Sequence, residues 1–209
     1  ATVAALMLII MLKIEVGWRG FRTAYPGLHF ARGALIVVAN STYFLALAAM
    51  VLAEAMAIFF VAPLIITALS ALVLKERVGP RRWSAVAVGM AGVIIMLRPG
   101  SDAFSFTALL PLVAATCYAI MQTLTRRLGT TDPASAMAFY VQVVFIVVCT
   151  SMFVFAGDGR YATGDNASLD FLLRAWVMPS GFDALLMGGV GVINGFGAYF
   201  ISQAYRSAD

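Results

Sequence analysis

Charge is scarce in this sequence, and so are the side chains that do covalent or acid–base chemistry. Only 11% of its 209 residues are Asp, Glu, Lys or Arg, and it holds one histidine and two cysteines. A soluble domain needs far more polar surface than that, so the composition argues against one and for a membrane. Catalytic signatures are missing too: there is no His-Glu-x-x-His, no nucleophile elbow and no P-loop. An intramembrane hydrolase or transferase needs a base beside a nucleophile, and no histidine falls in mid-span to supply one. The chain therefore does not read as an enzyme, and no cofactor site is read from it. Cys117 and Cys149 have no second thiol and no histidine at ligand spacing, so they read as small apolar fillers rather than a disulfide or a metal site.

What is abundant is hydrocarbon. Hydrophobic residues make up 62% of the chain and its mean hydropathy is +0.94. A helix needs roughly 20 apolar residues to cross the ~30 Å core of a bilayer. Seven runs stand out: 1–12, 33–52, 54–74, 83–98, 104–125, 134–156 and 184–205. The first is too short to cross and begins without Met, so it reads as the end of a helix. It has neither the basic flank nor the cleavage site of a signal peptide. The expected fold class is an all-α polytopic membrane protein.

The few charges are sorted. Assigning connections alternately to the two sides places eleven of the 14 Lys and Arg residues on one side and only Arg98, Arg160 and Arg174 on the other. This positive-inside bias puts 13–32, 75–82 and 126–133 in the cytoplasm and 157–182 outside. The net charge of +4 thus reports topology and not a nucleic-acid partner. The stretch "KIEVGWRGFRTAYPG" (13–27) alternates rings with cations, as a segment at headgroup level does. His29, beside Arg32 at the cytoplasmic mouth, reads as a solvated interface residue rather than a proton relay. In the outer stretch, Leu169, Leu172, Leu173 and Trp176 share a helical face with Asp170 and Arg174 off it, which predicts a short surface helix or an ordinary loop. Asn166-Ala167-Ser168 fits a glycosylation sequon, which matters only in a eukaryotic secretory pathway.

Polar residues inside spans are few and periodic. Residues 104–125 carry Pro111, Ala115, Tyr118, Gln122 and Thr125 along one face, and 33–52 carries Asn40 and Tyr43 with Ile36 and Leu47. Phe196, Tyr199 and Gln203 line up in 184–205, and Pro63, Thr67 and Ser70 in 54–74. A phenol and an amide are costly against lipid tails, so such faces turn inward. There they either bridge helices or wall a cavity for a ligand with aromatic bulk and hydrogen-bonding ends. Pro63 removes a backbone hydrogen bond and frees the carbonyl of Phe59, which bends the helix and predicts an inward Pro63 face. Glu54 opens the same run. It is read either as a carboxylate on the positive end of the helix dipole or as a gating or proton-coupling group. "GGVGVINGFG" sets Gly191 and Gly195 four apart, a spacing that lets another helix approach closely.

An internal repeat is visible at an offset of 156, pairing Gly33 with Gly189, Tyr43 with Tyr199, Phe44 with Phe200 and Ala48 with Ala204. The two segments run in opposite directions, five spans apart, so the repeat is inverted. "LAEAMAIFFVAPLIITALSALVLKERVGPRRWSAVAVGMAGVIIMLRPG" (52–100) resembles the EamA branch of the drug/metabolite transporter superfamily. The resemblance lies in an L-A-E-A opening, a mid-helix A-P-L, a K/G-E-R-x-G boundary and a G-x-x-G-V ending. It implies ten helices in two inverted five-helix repeats, of which this chain resembles helices 2 to 8: 1–100 as the first repeat and 101–209 as the second. It further implies a bacterial inner-membrane carrier, monomeric or homodimeric, that exports an amino acid or related metabolite by alternating access. Asn40, Tyr43, Pro63, Thr67, Tyr118, Gln122, Tyr199 and Gln203 are the expected substrate contacts. Uptake of a nucleoside-like metabolite and a non-transporting scaffold subunit are the alternatives.

Overall fold

The computed structural model describes residues 2–15, 17, 23–97, 106–128, 131–162, 164 and 166–207, and among these there is no strand. In chain order the helices are α1 (Thr2–Glu15), α2 (Pro26–Ala49), α3 (Leu52–Phe59), α4 (Ala62–Leu72), α5 (Pro80–Leu97), α6 (Leu109–Leu128), α7 (Ala134–Ala156), α8 (Ala167–Leu173) and α9 (Gly181–Ser207). Among the described residues, five helical stretches are long and apolar enough to cross a membrane: Pro26–Ala49, Leu52–Leu72, Phe106–Leu128, Ala134–Ala156 and Gly181–Ala204. The molecule is a polytopic helical membrane protein.

Punctuation follows the residues that cannot continue or begin a helix otherwise. Prolines open α2 and α5 at a position where a missing N–H leaves no bond unmade. Between α4 and α5, Lys75 takes a left-handed backbone (φ 56°), and the Gly79 carbonyl accepts from the amides of Arg82 and Trp83. Asn166 caps α8, its side-chain oxygen accepting from the amides of Ser168 and Leu169. Trp18, Arg19, Phe21 and Arg22, the rings and cations expected at headgroup level, lie outside the described residues.

The chain divides into two compact units. The first comprises residues 1–34, 124–159 and 175–209, and the second 35–123 and 160–174. In the first, α1, α7 and α9 pack pairwise. Without a hydrophobic driving force between helices in lipid, that packing depends on close backbone approach. The expected glycine pair supplies it: a Cβ on Gly191 would lie 2.9 Å from Val3 Cβ, and one on Gly195 would lie 3.4 Å from Ala4 Cα and 3.2 Å from Met7 Sδ. Ala4, Ala5, Leu8 and Leu12 are the buried face of α1. At Gly33, α2 meets Val144 of α7 with no room for a side chain.

In the second unit the run 52–72 is two helices rather than one. Phe60 and Val61 form the break, and Pro63 sits in the first turn of α4. The bend is as expected, but Pro63 does not face inward. Its ring is exposed, whereas Val61 and Ala62 are buried against Val93 of α5 and Ala115 of α6. In a helix's first turn a proline forfeits no bond, so the ring need not be shielded; the packed residues are those of the break itself. Gly89 of α5 meets Leu64 of α4 at 2.6 Å from its would-be Cβ, while Gly92 faces open space. Cys117 is half-buried, but Cys149 is exposed on α7, so it fills no core.

Candidate binding site

The second unit brings an aromatic run together at the helix break. Tyr43 of α2 meets Phe59 edge-on at 5.2 Å between ring centroids, and Phe59 in turn lies 5.6 Å from the Tyr118 ring of α6. Each such pair contributes about 0.5–1.5 kcal/mol beyond simple burial. One turn along α6, the Gln122 amide donates to the Tyr118 hydroxyl at 2.7 Å. The stripe read on 104–125 is therefore turned inward: Pro111, Ala115, Gln122 and Thr125 are buried and Tyr118 half-buried. Asn40, one turn before Tyr43, is half-buried and makes no side-chain hydrogen bond among the described residues. Thr67 donates to the Pro63 carbonyl at 2.9 Å, so its hydroxyl is satisfied within its own helix. What the arrangement offers is a half-buried ladder of three rings with amides at its ends. Phe59 escaped the sequence reading because a phenylalanine inside an apolar run shows no contrast with its neighbours.

Tyr199 and Gln203 belong to the first unit. Tyr199 packs against Leu128, Ala134 and Met137, and the buried Oε1 of Gln203 has no hydrogen-bond partner among the described residues. Phe196, expected on their face, is exposed. Repeat mates thus meet different surroundings: Tyr43 has an aromatic neighbour across helices, and Tyr199 a largely aliphatic one. Glu54 is exposed in the first turn of α3, as the helix-dipole reading requires. An open groove on α7, lined by Ile146, Val147, Thr150, Ser151, Val154 and Phe155, contains none of the expected site residues.

His29 is not the solvated residue its neighbours suggested. It is 1% exposed and its Nε2 lies 2.7 Å from Asp132 Oδ2, which also accepts from the Thr23 hydroxyl at 2.6 Å. Arg32, equally buried, donates through Nε to Thr125 Oγ1 at 3.0 Å and through a terminal nitrogen to the Met137 carbonyl at 3.3 Å. The Tyr140 ring lies over the imidazole at 4.5 Å. The correction has a physical cause. Burying a cation is costly unless a counter-charge and acceptors accompany it. Here Asp132 comes from the α6–α7 turn and Thr125 and Met137 from the helices on either side, about a hundred residues along the chain. α2 begins at Pro26 rather than at 33, so His29 and Arg32 both lie within the helix.

The fold and these contacts define a helical membrane protein with polar and aromatic side chains gathered inside it. Residues 1–98 match the EamA-like transporter family. The chain is similar to a riboflavin transporter of Vibrio cholerae, at 30% identity over 99% of this chain and 64% of that protein. It is also similar to one of Rhizobium johnstonii, at 28% over 93% and 59%. A third relative is an S-adenosylmethionine uptake transporter of Rickettsia prowazekii, at 24% over 96% and 63%. The chain thus spans about three-fifths of the length of these curated relatives. No solved structure matches it.

Proposed function

We propose that this chain is the greater part of a secondary transporter, not an enzyme, that takes up a small heteroaromatic metabolite carrying a polar tail. Riboflavin and S-adenosylmethionine, named for its relatives, both join a flat ring system to a hydrogen-bonding chain. The observation that carries the reading is the Tyr43–Phe59–Tyr118 ladder with Gln122 at its end. Stacked or edge-on rings receive a planar ring system, and Asn40 and Gln122 supply amide partners for hydroxyls and carbonyls. Tyr43, Tyr118, Gln122 and Asn40 are the central contacts of this proposal, with Pro63 and Thr67 shaping the break beside them. Tyr199 and Gln203 are proposed contacts of the first unit. Amino-acid export gains no support from the relatives' names. The proposed plan remains two inverted repeats, 1–100 and 101–209, rocking to expose the site on either side of a bacterial inner membrane.

The test is counterflow of radiolabelled riboflavin, S-adenosylmethionine and tryptophan in proteoliposomes containing the full-length protein. Flux of a heteroaromatic solute, weakened by Phe59→Ala, is expected. Flux of tryptophan alone would restore the amino-acid reading. No flux with any solute, together with a stable complex with another membrane protein, would favour the scaffold.

A further inference from the structure

Among the described residues, the buried side chains that can carry charge are His29, Arg32 and Asp132, and all three occur in one cluster. An ionisable group buried inside the protein is retained against a desolvation cost, which marks it as a candidate for function. Glu54, by contrast, is exposed.

The hydrogen bonds fix where a proton can go. Asp132 Oδ2 already accepts from Thr23, and a carboxylate has no proton to give, so Nε2–H of His29 is the donor at 2.7 Å. That assigns the lone pair of the neutral imidazole to Nδ1, which is buried and has no partner among the described residues. With His29 neutral, Arg32 and Asp132 cancel and the cluster carries no net charge. A proton added to Nδ1 leaves the cluster at one positive charge and creates an N–H with nothing to receive it. The groups facing the imidazole offer no remedy: Arg32 of α2 is a cation, Thr125 of α6 is engaged by Arg32, and Tyr140 of α7 presents its ring. Tyr199 of α9 faces the adjoining apolar cluster. The conformation seen here therefore disfavours that proton. One in which the Thr23 tie opens and Nδ1 meets water, while Nε2–H keeps its bond to the Asp132 carboxylate, accepts it. Two conformations with unequal proton affinity are the requirement for coupling a proton to a structural change.

We propose that Nδ1 of His29, held by Asp132, is the binding site of a coupling proton, and that its occupancy opens the end of the first unit where α2 begins and α6 meets α7. The inference rests on the transport reading above. It moves proton coupling from Glu54 to His29, whose partner Asp132 lies 103 residues away.

The experiment compares two readouts in the same proteoliposomes: riboflavin or S-adenosylmethionine counterflow at equal pH, and accumulation driven by an imposed pH gradient. Gradient-driven accumulation that a protonophore abolishes is expected. In His29→Gln the ratio of driven accumulation to counterflow should fall by about tenfold or more. Counterflow with no response to the gradient, or an unaltered ratio in the variant, overturns this inference and spares the transport reading. Absence of counterflow overturns both. A second measurement needs no functional variant. His29 is the sole histidine of this sequence, so its imidazole can be followed in histidine-labelled protein by nitrogen resonance, with His29→Gln used only to assign it. Saturating substrate should move its titration midpoint by about one pH unit. A midpoint indifferent to substrate rules the site out.

Discussion

The two units bury polarity in opposite ways. The first holds a cation and a carboxylate beside an imidazole, each satisfied by a partner far away in sequence. The second holds no buried charge among its described residues; it uses rings in series and one amide-to-phenol bond within a single helix. Charge demands near-complete pairing, and removing one partner strands the other. Aromatic contacts are more forgiving, because each ring is held by dispersion from several sides. The first arrangement is brittle and the second adaptable, a contrast that accords with the switching and solute-binding roles proposed for them.

The largest effect should come from breaking the first arrangement. Asp132→Ala leaves His29 and Arg32 without their counter-charge, and we expect about 3–5 kcal/mol of destabilisation in a detergent unfolding titration. A loss below 1 kcal/mol would show that water already reaches the cluster. Next, Phe59→Ala removes the middle rung of the ladder; with the ring half-buried, about 2–3 kcal/mol is expected, together with weaker substrate binding. If it proves as harmful as Asp132→Ala, the contrast between the units fails. Gly195→Leu drives a side chain into Ala4 and Met7 of α1 and should lose about 1–3 kcal/mol, read from the same titration. The smallest change is Gln142→Leu. Its amide donates to Asn194 Oδ1 at 2.9 Å between α7 and α9, and such bonds in membranes average about 0.6 kcal/mol. A double-mutant cycle with Asn194→Leu isolates that contribution.

Much of this was legible from local pattern. The span 134–156 coincides with α7, the inward stripe of α6 follows from its 4-3-4-3 spacing, and the glycine pair in α9 meets α1 as small-residue packing requires. The break before Pro63 was visible as well, though not that Val61 and Ala62 would be the packed residues. What could not be read depends on distant partners. A residue-by-residue reading of polarity places His29 and Arg32 in a loop, since only Asp132 and Thr125, each at least 93 positions away, make their burial tolerable. Phe59 was hidden for the opposite reason: it looked like every residue around it. The surface helix at 167–173 was half legible. It exists, but it stops at Leu173, and Trp176 packs on Phe153 of α7 after the helix has ended.

The hydroxyl of Ser168 donates to the carbonyl of Leu45 at 2.7 Å, across 123 residues of chain. During synthesis this end of α2 must therefore wait for that bond until five further helices have left the ribosome and α8 arrives to close over it. The His29–Asp132 tie spans 103 residues and waits nearly as long. Neither unit can complete these contacts before most of the polypeptide has been made, so the long-range clasps close late in assembly.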